Sequence, residues 1–383
     1  MPPVKILHLH SSFDVDGKQA RSVRLINHFG GRAEHTIISG TPDKYSARTA
    51  IAPGVKVDFP QDAPSLAGRP SVRRFRQWTD YMRQFHLVLT YNWGAMDAVM
   101  ARTVFARQVR LPPLIHHEDG CQEDQTKWLK PFRNWYRMVA LARADALVVQ
   151  SHTLETVALK NWHQPESRVV NIPDGVDLAA YAKTPQRGAI AGFRPRANTV
   201  VIGSLAGLRP GQNLPLLVRS VASLKDDVQL VIVGEGPEGG AIRAEAERTG
   251  LADNVLMPGL LKNPARFIGL FDIFALSSES EQFPISVVEA MAAGLPIVAP
   301  RVGDIAQMVS NENRALLFDS GDEAGLTKSL ARLITDPELR ATVGAANRRR
   351  AEADYGEQQM LDRYMALYGR AMRRLDFGDW SED

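Results

Sequence analysis

Short apolar runs alternate along this chain with stretches whose apolar positions recur at helical spacing. Residues 4–9 read as a strand, 11–17 as a polar loop, and 18–29 as a helix carrying Val23, Ile26 and Phe29 on one face. Further strands are expected at 35–39, 87–90, 114–116 and 146–150. The stretch 171–177, Asn-Ile-Pro-Asp-Gly-Val-Asp, is a turn-rich exit from this set. Residues 183–198 are rich in Pro, Gly and Arg, lack apolar periodicity and read as a linker. A second set of strands is expected at 200–203, 230–234, 255–257, 272–276 and 296–299. Strand and helix alternating in this way predicts α/β architecture with parallel sheets. The expected division is 1–187 and 198–355, each Rossmann-like, with a last segment 356–383.

Composition narrows the class. A chain of 383 residues with 44% hydrophobic content suits two domains with real cores. Lys and Arg number 46 against 43 Asp and Glu, a net charge of +3, too mild to argue for nucleic acid as a partner. The single cysteine, Cys121, excludes an internal disulfide framework and fits a reducing, cytoplasmic setting. No run approaches the roughly 20 apolar residues of a membrane span, and the first residues lead directly into a strand rather than a signal peptide.

The densest chemistry lies at 281–289, Glu-Gln-Phe-Pro-Ile-Ser-Val-Val-Glu. An apolar strand precedes it, and the polar segment 277–283 is a loop. Pro284 suits the first turn of a helix, where its missing N–H is no loss. That helix should run to Ala293 and stop at Gly294, a C-terminal cap. A loop and a helix start would thus meet at the carboxyl edge of a parallel sheet, where such sheets bind ligands. Free N–H groups at a helix start suit an anion such as a diphosphate. Glu281 and Glu289 are acceptors able to hold polyol hydroxyls. Anion plus polyol suggests a nucleotide sugar.

This stretch resembles the paired-glutamate signature of family 4, group 1 type glycosyltransferases. These are retaining enzymes of the GT-B fold, with two facing Rossmann-like domains. Two glutamates stand eight positions apart, an aromatic and a proline follow the first, and Glu289-Ala-Met-Ala-Ala-Gly-Leu-Pro296 closes the motif. Asn92-Trp-Gly, His116-His-Glu-Asp-Gly, Ala144-Asp-Ala-Leu-Val-Val-Gln-Ser, Ile172-Pro-Asp-Gly-Val-Asp and Val231-Ile-Val-Gly-Glu-Gly-Pro-Glu extend the resemblance over nearly the whole chain. It implies a metal-independent transfer from a UDP- or GDP-linked sugar, with no further cofactor. The acceptor would be a hydroxyl of a cell-surface glycan or lipid-linked saccharide. It also implies that the last helix, near 358–375, returns to the first domain.

The resemblance assigns roles residue by residue. Glu281 and His117 are expected at the reacting sugar. His117 is preferred to His116 because strand alternation turns one of the pair toward the core. Gly17, Arg209, Gln212, Gly234, Phe283, Pro284, Ile285 and Glu289 are expected to bind the donor. Glu118, Asp119 and Asn92 are weaker candidates for the acceptor. One departure stands out. The loop 202–213 places Gly207 and Gln212 where the family carries an Arg and a Lys or, with the alignment shifted, Ser204 and Arg209, so at least one phosphate-binding cation is missing either way. Arg209 or Lys18 could supply charge instead, or lie solvated.

Two basic-aromatic stretches remain: 69–83 with Arg73, Arg74, Arg76, Trp78 and Arg83, and 127–143 with Trp128, Lys130, Arg133, Trp135, Tyr136 and Arg137. They fit either helices lying on an anionic membrane surface or helices with a solvated face and buried aromatics. Other functions compete: a nucleotide-sugar-binding scaffold with little or no transfer, for which the missing cations argue, and an epimerase of the same fold. A dinucleotide oxidoreductase is disfavoured, because no Gly-x-Gly-x-x-Gly follows the first strand.

Overall fold

The computed structural model describes residues 3–14, 17–41, 43–120, 131–224 and 228–374. Cys121, Asp16, Trp128, Lys130 and the Lys18 side chain lie outside the described residues. The chain divides into two compact units, one of residues 1–174 and 360–383, the other of 175–359.

The first unit is built on a seven-stranded sheet. In chain order its strands are β1 (Val4–His10), β2 (Ala33–Ser39), β3 (Lys56–Asp58), β4 (Leu87–Tyr91), β5 (Leu114–Glu118), β6 (Ala146–Val149) and β7 (Val169–Asn171). Their spatial order is β3-β2-β1-β4-β5-β6-β7, with every pair parallel. The central strands β1, β4, β5 and β6 are buried on both faces because both faces are covered, whereas the edge strand β3 exposes Lys56 and Asp58. Val4 and Ile6 of β1 join Leu25 and Phe29 of the helix Gly17–Phe29 on one side. Leu7 and Leu9 turn to the other side, toward the helices Val72–Met82, Met96–Phe105 and Pro131–Leu141. The last helix, Glu357–Met372, completes the first face. Met360, Leu361, Tyr364, Met365, Leu367 and Tyr368 pack there against β1, β4 and β5.

The second unit carries a five-stranded parallel sheet of β8 (Val200–Leu205), β9 (Val228–Val233), β10 (Val255–Gly259), β11 (Ile273–Ala275) and β12 (Ile297–Val298), ordered β10-β9-β8-β11-β12. Val201, Val231, Phe274 and Leu276 face one core, while Ile202, Leu230, Ile232 and Ile273 face the other. The segment read as a linker is tied into this unit: Ile190 and Phe193 are buried in its core. Two apolar side chains suffice for that without any helical period, so the pattern gave no sign of it. In both sheets the order reverses beside the first strand, between β1 and β4 and between β8 and β11. That is where a ligand crevice opens in such folds.

Candidate functional site

In the second unit two loops leave the carboxyl ends of β8 and β11 at this reversal point. They are laced together. The Ser277 hydroxyl donates to the Gln212 carbonyl (2.9 Å), the Glu279 N–H donates to the Gly211 carbonyl (2.8 Å), and the Gln212 amide donates to Glu281 Oε1 (3.1 Å). A third segment braces the Glu281 loop from behind. The Asp304 N–H donates to the Gln282 carbonyl (3.1 Å), and a Cβ on Gly303 would meet the Glu281 carbonyl oxygen at 2.2 Å.

The helix Ile285–Ala292 begins after Pro284, which is extended (φ −69°, ψ 108°) and donates no side-chain cap. The first N–H groups of a helix have no partner one turn back inside it. Pro284 has none to give and the Val287 N–H already donates to the Pro284 carbonyl (3.0 Å), so those of Ile285 and Ser286 are the ones this helix start presents to an anion. The helix ends at Ala293, and Gly294 takes the left-handed conformation expected of it (φ +77°). Glu289 lies one turn in, and its Oε1 accepts from the Tyr181 hydroxyl at 2.9 Å. Phe283 packs edge-on against Tyr355, ring centroids 5.7 Å apart.

A third side comes from the loop after β9. Gly234 (φ +152°) approaches so closely that a Cβ would meet the Ala206 carbonyl oxygen at 1.9 Å. Beside it opens a cavity of about 370 Å³, lined among others by Gly236, Arg243, Met257 and Pro258. Arg209 is exposed, and its side chain lies against Gly207, whose added Cβ would stand 3.5 Å from Arg209 Nε. The Arg209 side chain therefore fills the space beside Gly207. Position 212 presents a neutral amide.

The first unit treats its expected site residues differently. His117 points into the core beneath the last helix. Its Nε2 is 2.9 Å from the Tyr368 hydroxyl, its Nδ1 is 3.2 Å from the Thr90 carbonyl, and it stacks on Tyr91 at 4.6 Å. It is fully buried, and burial together with the Arg21 charge pushes its pKa well below the ordinary value. Alternation does separate the histidine pair, but His117 is the one turned under Tyr364 and Tyr368. His116 turns to the opposite face and meets Thr90 (2.8 Å). This arrangement gives His117 no exposed edge with which to polarise a donor.

Glu118 is likewise buried and forms a two-pronged pair with Arg137 (3.0 and 3.3 Å). Burial would raise its pKa, but Arg137 and His116 outweigh that and hold it below the ordinary carboxylate range. Asp119 pairs with Arg21 and accepts from the Asn92 amide (2.8 Å), while the Asn92 side-chain oxygen accepts from the Asp119 N–H (2.9 Å). Arg21 also reaches Asp174 at 3.2 Å. Asn92 and Asp119 thus tie the ends of β4 and β5 together, while Glu118 anchors the helix Pro131–Leu141 through Arg137. Gly17 opens the helix Gly17–Phe29, as the loop-to-helix reading requires.

Sequence reasoning did not single out Arg21, Asp174, Tyr368 or Tyr181. Asp174 sits in a turn motif and Arg21 on a helix, with nothing local to tell a buried cation from a solvated one. Among the described residues no group of three or more His, Cys, Asp or Glu is placed to hold a metal ion. No helix among them is long and apolar enough to cross a membrane.

Two family models match this chain in tandem: Glycosyltransferase Family 4 over residues 15–180 and Glycosyl transferases group 1 over 190–350. The chain is similar to N-acetyl-alpha-D-glucosaminyl L-malate synthase of Bacillus anthracis, with 23% identity over 73% of this chain and 72% of that protein. It is also similar to a D-inositol 3-phosphate glycosyltransferase of Segniliparus rotundus, with 28% identity over 61% of this chain but only 54% of the relative's length. Among solved structures, Anabaena HepE in complex with UDP superposes with a TM-score of 0.77 at 18% identity, covering 94% of this chain and 98% of that one. A glycosyltransferase of Rickettsia africae gives 0.75 at 13% identity, covering 97% and 100%. The two parallel α/β units and the two tandem matches agree: the chain belongs to the group 1, family 4 glycosyltransferases and has the GT-B fold.

Proposed function

We propose that this chain transfers a sugar from a nucleotide-sugar donor to an acceptor hydroxyl with retention of configuration and without a bound metal ion. The observation that carries this reading is the placement of Glu281 and Glu289. One lies on the loop after β11 and one on the helix that follows, and each already accepts a hydrogen bond from a neutral donor. In this reading Glu289 accepts from the ribose hydroxyls and Glu281 from those of the sugar. The N–H groups at the start of Ile285–Ala292 donate to the diphosphate, where fixed dipoles stabilise charge developing on the leaving group. Arg209 adds the only side-chain charge assigned to this task. Gly234, Phe283, Pro284 and Ile285 shape the wall and the cavity beside Gly236 takes the base. HepE was solved with UDP and with UDP-glucose, which favours a uridine diphosphate sugar as donor.

The acceptor belongs to a glycan or a lipid-linked saccharide. Contact with an anionic membrane is supported by exposed Phe132 and Trp135 on the helix Pro131–Leu141, and by exposed Arg73 and Arg76 on Val72–Met82. A second reading, donor binding without transfer, is favoured by one feature: Gly207 and Gln212 leave the phosphates with less positive charge than the family supplies.

Calorimetry with UDP- and GDP-sugars, followed by proton NMR of the anomeric centre during turnover, tests both readings. The expected result is donor binding that Glu289→Ala weakens, and a product keeping the donor's anomeric configuration. Unchanged affinity in folded Glu289→Ala would overturn the donor site. Tight binding with no transfer to a broad acceptor panel would establish the second reading, and an inverted product would refute retention.

A further inference from the structure

We propose that Tyr181 is a positioning residue for donor binding, its hydroxyl holding the Glu289 carboxylate in the orientation that receives the ribose diol. The proposal rests on the reading of Glu289 given above. Tyr181 closes the one-turn helix Leu178–Tyr181, whose start is capped by the Asp177 carboxylate accepting from the Ala180 N–H (3.2 Å). That turn is anchored at its base. The Val176 N–H donates to the Tyr355 carbonyl (2.9 Å), and the Glu357 N–H donates back to the Val176 carbonyl (3.0 Å). The Tyr181 ring packs against the core cluster that contains Val288. Ring and backbone are thus both fixed, and the hydroxyl is delivered to Glu289 across 108 positions of sequence.

A glutamate on a helix surface ordinarily samples several rotamers, and binding must then pay for ordering it. Here one carboxylate oxygen is held by a donor that is part of the core. A carboxylate accepts several hydrogen bonds at once, so the Tyr181 bond and a ribose bond are compatible. The Tyr181 hydroxyl is neutral, so this bond is not an ion pair that would compete with the diol. Tyr181→Phe keeps the ring packing and removes the hydroxyl that makes this bond.

The test is Tyr181→Phe, Glu289→Ala and the double variant, with UDP and GDP as calorimetric probes and thermal unfolding as the folding check. Tyr181→Phe is expected to weaken nucleoside diphosphate binding and raise the donor KM by about 3–10-fold, with kcat changed less than about twofold. On the Glu289→Ala background the same substitution should add nothing, because its effect passes through that carboxylate. Binding of 2′,3′-dideoxyuridine diphosphate, which has no diol, should be equal in wild type and Tyr181→Phe. If Glu289→Ala weakens UDP while Tyr181→Phe does not, or if the two effects multiply independently, the proposal is overturned and the donor site stands. If Glu289→Ala changes nothing, or neither probe binds wild type, the donor reading fails and takes this proposal with it.

Discussion

Arg21 is a buried cation that joins two carboxylates of the first unit. Its guanidinium is buried to within 1% and pairs with Asp119 and Asp174, whose side chains are 2% and 11% exposed. Burial opposes its charge, yet Asp119, Tyr364 and Asp174 together more than offset this and leave its pKa raised. Replacing it in Arg21→Met keeps the volume and removes the charge. Two carboxylates at the ends of β5 and β7 then lack their cation, a defect worth about 3–5 kcal/mol. For a unit of roughly 200 residues, each kcal/mol moves the melting temperature by about 2–4 °C, so a fall near 10 °C is expected. The assay can be made specific. All six tryptophans lie outside 175–359, so tryptophan fluorescence reports unfolding of the first unit alone. Adding Asp119→Asn and Asp174→Asn to Arg21→Met should recover most of the loss, since the uncompensated charges disappear. A fall smaller than about 2 °C, or a triple variant no more stable than the single, would refute the argument.

Gly203 sits in β8 with no room for a side chain: a Cβ would lie 1.9 Å from the Phe271 ring, so Gly203→Ala should destabilise the second unit by about 1–3 kcal/mol in calorimetric unfolding. Gln212→Lys should tighten UDP binding about tenfold by adding a charge-assisted contact to phosphate, and an unchanged calorimetric Kd would show that position 212 does not face the diphosphate. Burial lowers the pKa values of His8, His10, His35 and His117, to about 3 for His10 and about 4 for His35. The folded unit holds these histidines neutral, whereas the unfolded chain takes up protons below about pH 6.5. First-unit stability should therefore be fully present above that pH and fall as pH drops toward the folded values. The urea midpoint by fluorescence should already decline between pH 6.5 and 5, and a flat midpoint there would contradict the sign.

What the sequence revealed was local. The strand, loop and helix around 281–289 appear as read, because apolar length, a proline at a helix start and a glycine after its end are all set by neighbouring residues. Glu281 and Gln212 meet because their two strands are adjacent, and a parallel-sheet reading anticipates that. What it concealed was distant. His117 looked like a strand-end ligand, and only Tyr368, 251 positions later, turns it into a core residue. Glu118 and Asp119 looked free because nothing local marks Arg137 and Arg21, each on a helix, as their buried partners. Strands β3 and β7 are edge strands that are only partly buried and carry no sustained apolar run, unlike the similarly short but fully buried β11 and β12.

The return of the last helix to the first sheet has a consequence for synthesis. Residues 175–359 stand in the chain as an insertion between two pieces of one unit. On a ribosome β1 to β7 emerge first, yet the face bearing Ile6, Leu89, Tyr91 and Ile115 is only partly covered, by Leu25 and Phe29, until Tyr364 and Tyr368 arrive. At 5–20 residues per second that wait lasts about 10–40 s. The inserted unit, being continuous, can complete its own core in the meantime. The amino-terminal half is thus the last to finish, and it is the half that chaperones must shield. A premature stop just before 360 would keep Glu281 and Glu289 in a complete second unit and leave the first unit's sheet with an apolar face short of its last helix.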